Sequence, residues 1–285
     1  RPFALRERRH SQGAKLGRAL VPDCPWRLAT ASVAGISHRT RGVPCQDAHA
    51  LACLTDRLER PVLLLAVADG AGTAASADEG AELACRTFIQ LAGRYIDDGG
   101  LVEDLQRTTV RKWLASMAYV LALDTMAKKR PYEDHSCTFI GALVGDSAAS
   151  FLQLGDGAIV VKDVVGKGWQ YIFWPQHGEL ANMTNFLVNA DALQSFEFRS
   201  LQYSVDEVAI FTDGLENLLL RRAEKTVHAP FFESAFAFVG QSSCAGLDEG
   251  LSDQLREYLS SDVLTQKTND DMTLILASKR PNGAR

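Results

Sequence analysis

The sequence has no long apolar run. Its longest, Val62 to Ala68, falls far short of the roughly 20 residues that a bilayer-spanning helix needs, so no membrane partner is expected. It also lacks any Cys-x-x-Cys pair. The six cysteines (Cys24, Cys45, Cys53, Cys85, Cys137 and Cys244) are scattered, which excludes a zinc-ligand pattern and a disulfide framework. Several lie in apolar stretches, where cysteine behaves as a small hydrophobe, and this usage fits a reducing cytoplasm. There is no excess of positive charge: 30 Lys/Arg stand against 35 Asp/Glu, a net of −5, so no nucleic-acid partner is expected. No linker rich in proline or glycine divides the chain, and no internal repeat is visible.

What is present is ordinary for a globular protein: 46% hydrophobic and 23% charged residues in a chain of 285. The charge is unevenly spread. Residues 1–20 carry six Lys/Arg against Glu7 alone, without the apolar core of a secretion signal. The expected organisation is a disordered basic leader over 1–24, one domain over 25–280, and a short tail at 281–285.

Trp26 to Val33 reads as a strand, and Gly35 to Pro44 as a loop rich in Gly, Ser, Arg and His. Val62 to Ala68 is apolar throughout and predicts a strand buried on both faces. Helical spacing follows, with Ala84, Phe88, Leu91 and Tyr95 over 79–95 and Val110, Trp113, Met117 and Leu121 over 103–129. Short strands at 137–144, 150–154, 158–162 and 169–174 are punctuated by Gly145-Asp146 and Gly155-Asp156-Gly157, which predicts an antiparallel meander. Strands at 196–203, 207–211 and 272–277 and helices near 231–239 and 248–260 complete the pattern. Grouped strands with helices between the groups predict an α+β fold.

The aspartates fall at informative places. Asp69 and Asp213 each follow directly on an apolar strand and precede a glycine; Asp270 stands just before one. Asp47 lies between the first two strands and Asp156 in a tight turn. Asp-Gly is a common hairpin signal, but Asp69 and Asp213 lead into helical patterns rather than into a returning strand. If such carboxylates converge, each raises the pKa of the others unless a cation neutralises them. An oxygen-only cluster selects Mg²⁺ or Mn²⁺. Two such ions would lower the pKa of a bridging water and clamp an oxyanion, which suits hydrolysis of a phosphoester.

In order along residues 26–278, these pieces resemble the metal-dependent protein phosphatases of the protein phosphatase 2C family, bacterial-type subgroup. The resemblance rests on Gly42-Val43-Pro44-Cys45-Gln46-Asp47-Ala48, Val67-Ala68-Asp69-Gly70-Ala71-Gly72, Ser136-Cys137-Thr138, Leu154-Gly155-Asp156-Gly157, Ile210-Phe211-Thr212-Asp213-Gly214 and Thr268-Asn269-Asp270-Asp271-Met272-Thr273. It implies a four-layer αββα sandwich of two antiparallel sheets flanked by helices, with a metal pair in a cleft at one end. It implies Asp69, the Gly70 carbonyl, Asp213 and Asp270 as metal ligands, Asp47 as holder of metal-bound water, and Asp156 as support for a weaker third ion.

The activity implied is hydrolysis of phosphoserine and phosphothreonine in proteins by a metal-bridging hydroxide, with Mn²⁺ or Mg²⁺ as cofactor and a serine/threonine kinase as functional counterpart. The family's phosphate-binding arginine precedes the Asp47 element, and the spacing leaves Arg39 and Arg41 both open, Arg41 being nearer in sequence. His38 is a candidate to join them at the substrate. Gly178 to Thr184 falls where the family has a variable flap beside the cleft. Two departures stand out: Ala71 occupies the place of a frequent histidine, and Asn217 that of a frequent aspartate. They motivate an alternative, a catalytically weak phosphatase-like module that binds phosphopeptides.

Overall fold

The computed structural model describes residues 24–163, 168–176 and 184–280. The expected basic leader up to residue 23, the tail at 281–285 and most of the expected flap lie outside the described residues. The chain begins with β1 (Trp26–Val33), a short helix α1 (Ile36–Arg41), β2 (Ala48–Thr55) and β3 (Pro61–Ala68), followed by the long helices α2 (Ala77–Asp97) and α3 (Arg107–Lys128). Then come β4 (Phe139–Val144), β5 (Ala149–Leu154), β6 (Ala158–Asp163), β7 (Gly168–Tyr171), α4 (Ala192–Ser195), β8 (Glu197–Leu201) and β9 (Glu207–Phe211). The last part holds α5 (Glu216–Leu219), β10 (Leu220–Arg221), β11 (Thr226–Val227), α6 (Ala229–Val239), β12 (Gly246–Leu247), α7 (Glu249–Leu259), α8 (Asp262–Thr265) and β13 (Met272–Lys279).

Two sheets carry the fold. One has five strands in the order β2-β3-β4-β5-β8; the other has six, in the order β12-β1-β13-β9-β6-β7. All the pairings are antiparallel except the short parallel contact of β1 with β12. The strand β3 shows why the layers stack as they do. Leu63, Leu65 and Val67 face the other sheet and meet Ile140, Phe151, Ile210 and Ile275. Val62, Leu64, Ala66 and Ala68 face the opposite way, against Phe88, Ala92 and Val110 of α2 and α3. Successive strand residues point to opposite faces, so a strand covered on both faces is apolar at every position even in an antiparallel sheet. The six-stranded sheet repeats this. Ala29, Ala31, Leu274 and Leu276 turn outward onto Phe232, Phe236 and Leu255 of α6 and α7. The result is helices, sheet, sheet, helices: the αββα sandwich.

Three local expectations are corrected. The segment 35–44 is not a plain loop, because Ile36–Arg41 forms a helical turn closed by Gly42 at φ 67. A strand at Ala48–Thr55 was not foreseen; four of its first six residues are alanine or histidine, which carry little strand signal. The run from 137 to 174 is not one meander. β4 and β5 belong to the five-stranded sheet and β6 and β7 to the six-stranded one, so the chain crosses between sheets at Gly155-Asp156-Gly157, with Gly155 at φ 111. Trp113, Met117 and Trp169 are buried, Trp169 stacked on Phe236 with ring centroids 4.8 Å apart.

Leu65 is fully buried between the sheets. Leu65→Ala is expected to cost about 2–5 kcal/mol through the cavity it leaves, read as a lowered midpoint in urea denaturation with an unchanged slope.

Candidate metal centre

Strand register gathers the aspartates. β2 and β3 pair with Ala48 opposite Ala68, so Asp47, just before one strand, and Asp69, just after the other, are neighbours at one end of the five-stranded sheet. In the six-stranded sheet both Leu274 and Ala158 lie opposite Phe211. That register brings Thr212-Asp213, Asp156 and Asp270-Asp271 together at one end. The two sheets are tied there by a buried bond: Thr212 Oγ1 donates to Asp47 Oδ2 at 2.8 Å. The Thr212 hydroxyl in turn accepts the Thr273 N–H at 3.0 Å.

The turn carrying Asp69 is held by Ser136-Cys137-Thr138. The Thr138 N–H donates to the Asp69 carbonyl at 2.8 Å, and the Asp69 N–H donates to Thr138 Oγ1 at 3.2 Å. The next residue must be glycine: a Cβ on Gly70 would lie 2.7 Å from the Gln46 carbonyl oxygen and 2.8 Å from the Ala77 Cβ. The backbone at Asp69-Gly70 therefore sits directly against the chain that leads into Asp47.

The electrostatics of this cleft are severe. Burial, then the charge of Asp271, pushes the Asp47 carboxyl well above the ordinary carboxylate range. Burial, then the charges of Asp47 and Asp213, does the same to Asp69. Asp213 is raised to about 7 by burial and by the charges of Asp156 and Asp270. Asp69 and Asp213 each lie in the field of the other carboxylates of the cluster, so burial and like charge act on both in the same direction. Asp47 Oδ1 and Asp213 Oδ1 are buried with no hydrogen-bond partner among the described residues. Crowded carboxylates and orphaned buried oxygens together fit a divalent cation, which would satisfy both. The donors are oxygens, the set that hard cations take. Cys45 is nearby, but burial holds its thiol well above its ordinary pKa, so it offers no thiolate.

Each expected site residue has a place. Asp47, Asp69, Gly70, Asp156, Asp213 and Asp270 meet at this end of the sandwich, with Asp270 exposed at the rim. Arg39 and Arg41 are both exposed on α1, Arg41 Nε donating to the Ser37 carbonyl at 3.0 Å. The helix rests on the Asp270 loop, where the Ser37 N–H and Oγ both donate to the Asn269 carbonyl at 3.1 and 2.8 Å. His38 is not on an exposed loop. It is buried, its Nδ1 2.8 Å from Asp271.

Asn217 is exposed, whereas the preceding Glu216 is buried and takes a bidentate contact from Arg222, at 2.9 and 2.8 Å. That guanidinium lies within electrostatic reach of Asp213 and Asp156. Sequence reasoning missed Thr212, Thr138, Asp271 and the Glu216–Arg222 pair as parts of the site. Only Asp271 had a signal, as the second carboxylate of Asn269-Asp270-Asp271.

A second group brings together three potential ligand atoms, from Glu79 on α2, Asp124 on α3 and His135 in the turn after α3. Lys128 bonds both carboxylates, at 2.6 and 2.7 Å, and Arg130 adds 2.8 Å to Glu79, so these charges are already neutralised by the chain's own cations.

Known proteins resemble this chain in sequence and in fold. A family model described as protein phosphatase 2C matches residues 34–260. Serine/threonine-protein phosphatase 3 of Escherichia coli (strain K12) is 34% identical over 255 residues, spanning 88% of this chain and 98% of that protein. Among solved structures, a bacterial serine phosphatase shares the fold with a TM-score of 0.58 at 14% identity, covering 90% of this chain and 98% of its own. The catalytic domain of the serine/threonine protein phosphatase PstP, in complex with two manganese ions, gives a TM-score of 0.56 at 13% identity, covering 90% of this chain and 99% of its own.

The carboxylate crowding has a measurable consequence. Folded Asp213 keeps its proton up to about pH 7, whereas its ordinary value is 3.8. The folded state thus binds more protons than the unfolded one in that window, and stability falls as pH rises through it. With chelator present, the melting temperature is expected to drop between pH 5 and pH 8. Added Mn²⁺ is expected to raise it, by more at pH 8 than at pH 5, since protons and metal compete for the same oxygens. A metal-induced shift that shrinks with rising pH contradicts this assignment; differential scanning calorimetry decides.

Proposed function

The chain belongs to the protein phosphatase 2C family and is a metal-dependent serine/threonine phosphatase; from that premise we propose that the carboxylate cluster at the end of the sandwich is its catalytic centre. The observation that carries the proposal is the convergence of Asp47, Asp69, Asp156, Asp213 and Asp270 around buried oxygens that lack partners. Asp69, Asp213 and Asp270, with the Gly70 carbonyl, would hold two Mn²⁺ or Mg²⁺ ions, and Asp156 the margin of a weaker third. When bound, such ions supply a water of lowered pKa and Lewis-acid stabilisation of the phosphoryl oxygens.

The chain's own residues set the geometry for that chemistry. Asp47 is locked by Thr212 through Oδ2, which leaves Oδ1 to accept a proton or a water hydrogen in the cleft. Arg41, or Arg39 one turn-face away on α1, presents a planar cation suited to a bidentate grip on the phosphate. Phosphoryl transfer needs little covalent help from the protein, so positioning and charge stabilisation are its main contributions. The convergence of all the ligand aspartates favours turnover over a module that merely binds phosphopeptides, although Ala71 supplies no side-chain acid at its position. The substrates are phosphorylated proteins; a kinase as functional counterpart and a cytoplasmic setting are part of this proposal.

Asp69→Asn and Asp213→Asn are each expected to lower kcat by on the order of a hundredfold or more, because each removes a charged ligand worth several kcal/mol to the transition state. Phosphate release from a phosphothreonine peptide in Mn²⁺ measures it. Turnover equal to wild type in either variant would overturn the assignment. Arg41→Ala and Arg39→Ala separate the two candidates. The arginine that grips phosphate is expected to raise KM about tenfold when removed, the other to leave it near wild type.

A further inference from the structure

One buried carboxylate beside the centre, Asp271, is bonded by three separated groups of a single segment. Asp271, 2% exposed, accepts the Gly35 N–H at 2.7 Å, the Gln46 N–H at 2.5 Å, and His38 Nδ1 at 2.8 Å to each of its oxygens. His38 is itself 3% exposed. The segment between Gly35 and Gln46 is thus pinned at its start, its middle and its end to a single side chain. It contains α1 with Arg39 and Arg41, and it delivers the chain directly into Asp47. At the start the approach is so close that a Cβ on Gly35 would overlap the Asn269 and Asp270 backbone. At the other end of the contact, the Asp271 N–H donates to Oδ1 of its neighbour Asp270 at 2.9 Å.

A carboxylate is the one side chain that can serve all three donors, because both of its oxygens only accept. An asparagine would turn one acceptor into a donor facing N–H groups, leaving at least one of them buried and unmatched. Hydrogen bonds to an ionised acceptor are the strong kind, which suits a joint meant to hold position rather than to move.

We infer that Asp271 and His38 are positioning residues. They lock α1 onto the loop that carries Asp270, so that the phosphate-gripping guanidinium and the metal-binding carboxylates keep one fixed separation. His38 then acts through Arg39 or Arg41 and does not touch substrate. This rests on the phosphatase reading above, and it places the specificity for a phosphate group in a shared joint rather than in either charge alone. A small loss of register at such a joint weakens ground-state and transition-state grip on the phosphate together, which raises KM more than it lowers kcat.

The experiment uses the full chain loaded with Mn²⁺ and a phosphothreonine peptide. His38→Ala is expected to raise KM on the order of tenfold with kcat within about twofold, and His38→Asn, whose amide N–H takes the place of the imidazole Nδ1–H facing Asp271, is expected to restore most of the lost KM. In a double-mutant cycle with the Arg39→Ala or Arg41→Ala variant that itself raises KM, His38→Ala is expected to add little, because the joint acts through that guanidinium. Calorimetric titration of Mn²⁺ is expected to give the same affinity for wild type and both His38 variants.

Three results would overturn the inference: a fall in kcat at constant KM, full additivity with both arginine variants, or a lowered melting temperature with unchanged KM in the folded protein. Failure of the phosphatase reading looks different, since wild type itself would then release no phosphate or Asp69→Asn would release it normally.

Discussion

Everything at the working end of this protein follows from crowding like charges where water is scarce. Asp47, Asp69 and Asp213 each have a carboxyl pushed upward by burial and by neighbouring carboxylates. Folding tolerates this arrangement because the cost is confined to one rim of a large apolar body, and because divalent ions convert the repulsion into binding energy. The site is costly as structure and useful as chemistry for the same physical reason.

The sandwich makes the crowding possible. Two sheets packed face to face bring five separate chain segments to one edge, and the buried Thr212–Asp47 bond fixes the two sheet ends relative to one another. Glycine is required where backbone segments cross closest. At Gly70 no Cβ fits between the Gln46 carbonyl and Ala77, so the Asp69-Gly70 turn and the approach to Asp47 are in direct contact. The Asp271 joint extends the same principle outward, coupling the basic helix α1 to the acidic loop. A rigid edge of this kind preorganises charge, and preorganised charge does most of the work in phosphoryl transfer.

Near the rim, the chain departs from an all-acidic cleft. Glu216 is buried and neutralised by Arg222, whose guanidinium also lies in the field of Asp213 and Asp156. The neighbouring Asn217 carries no charge. This side of the centre is therefore less negative than the Asp47–Asp69 side. A third ion beside Asp156 would meet a fixed cation, whereas the inner pair would not.

Much of this was legible in the residues. Strands β1, β3 and β9 and helices α2, α3, α6 and α7 were foreseen because apolar period and length leave little choice for a segment covered on one or both faces. The aspartates were legible too, since a carboxylate that ends an apolar strand and starts a helix is hard to explain as a turn. The misses share a cause. Strand β2 is rich in alanine and histidine, whose local preference for a strand is weak, and it forms because β3 offers it a ladder. The crossing between sheets at Gly155-Asp156-Gly157 looks like any hairpin from the sequence, for a tight turn says nothing about which sheet takes the next strand. His38 reads as a loop residue until Asp271, more than two hundred positions away, is folded against it. Local pattern determined the elements and the kinds of chemistry available. Tertiary structure alone decided which carboxylates share a field, which imidazole is buried and which backbone segments touch, because those are long-range contacts that no local propensity encodes.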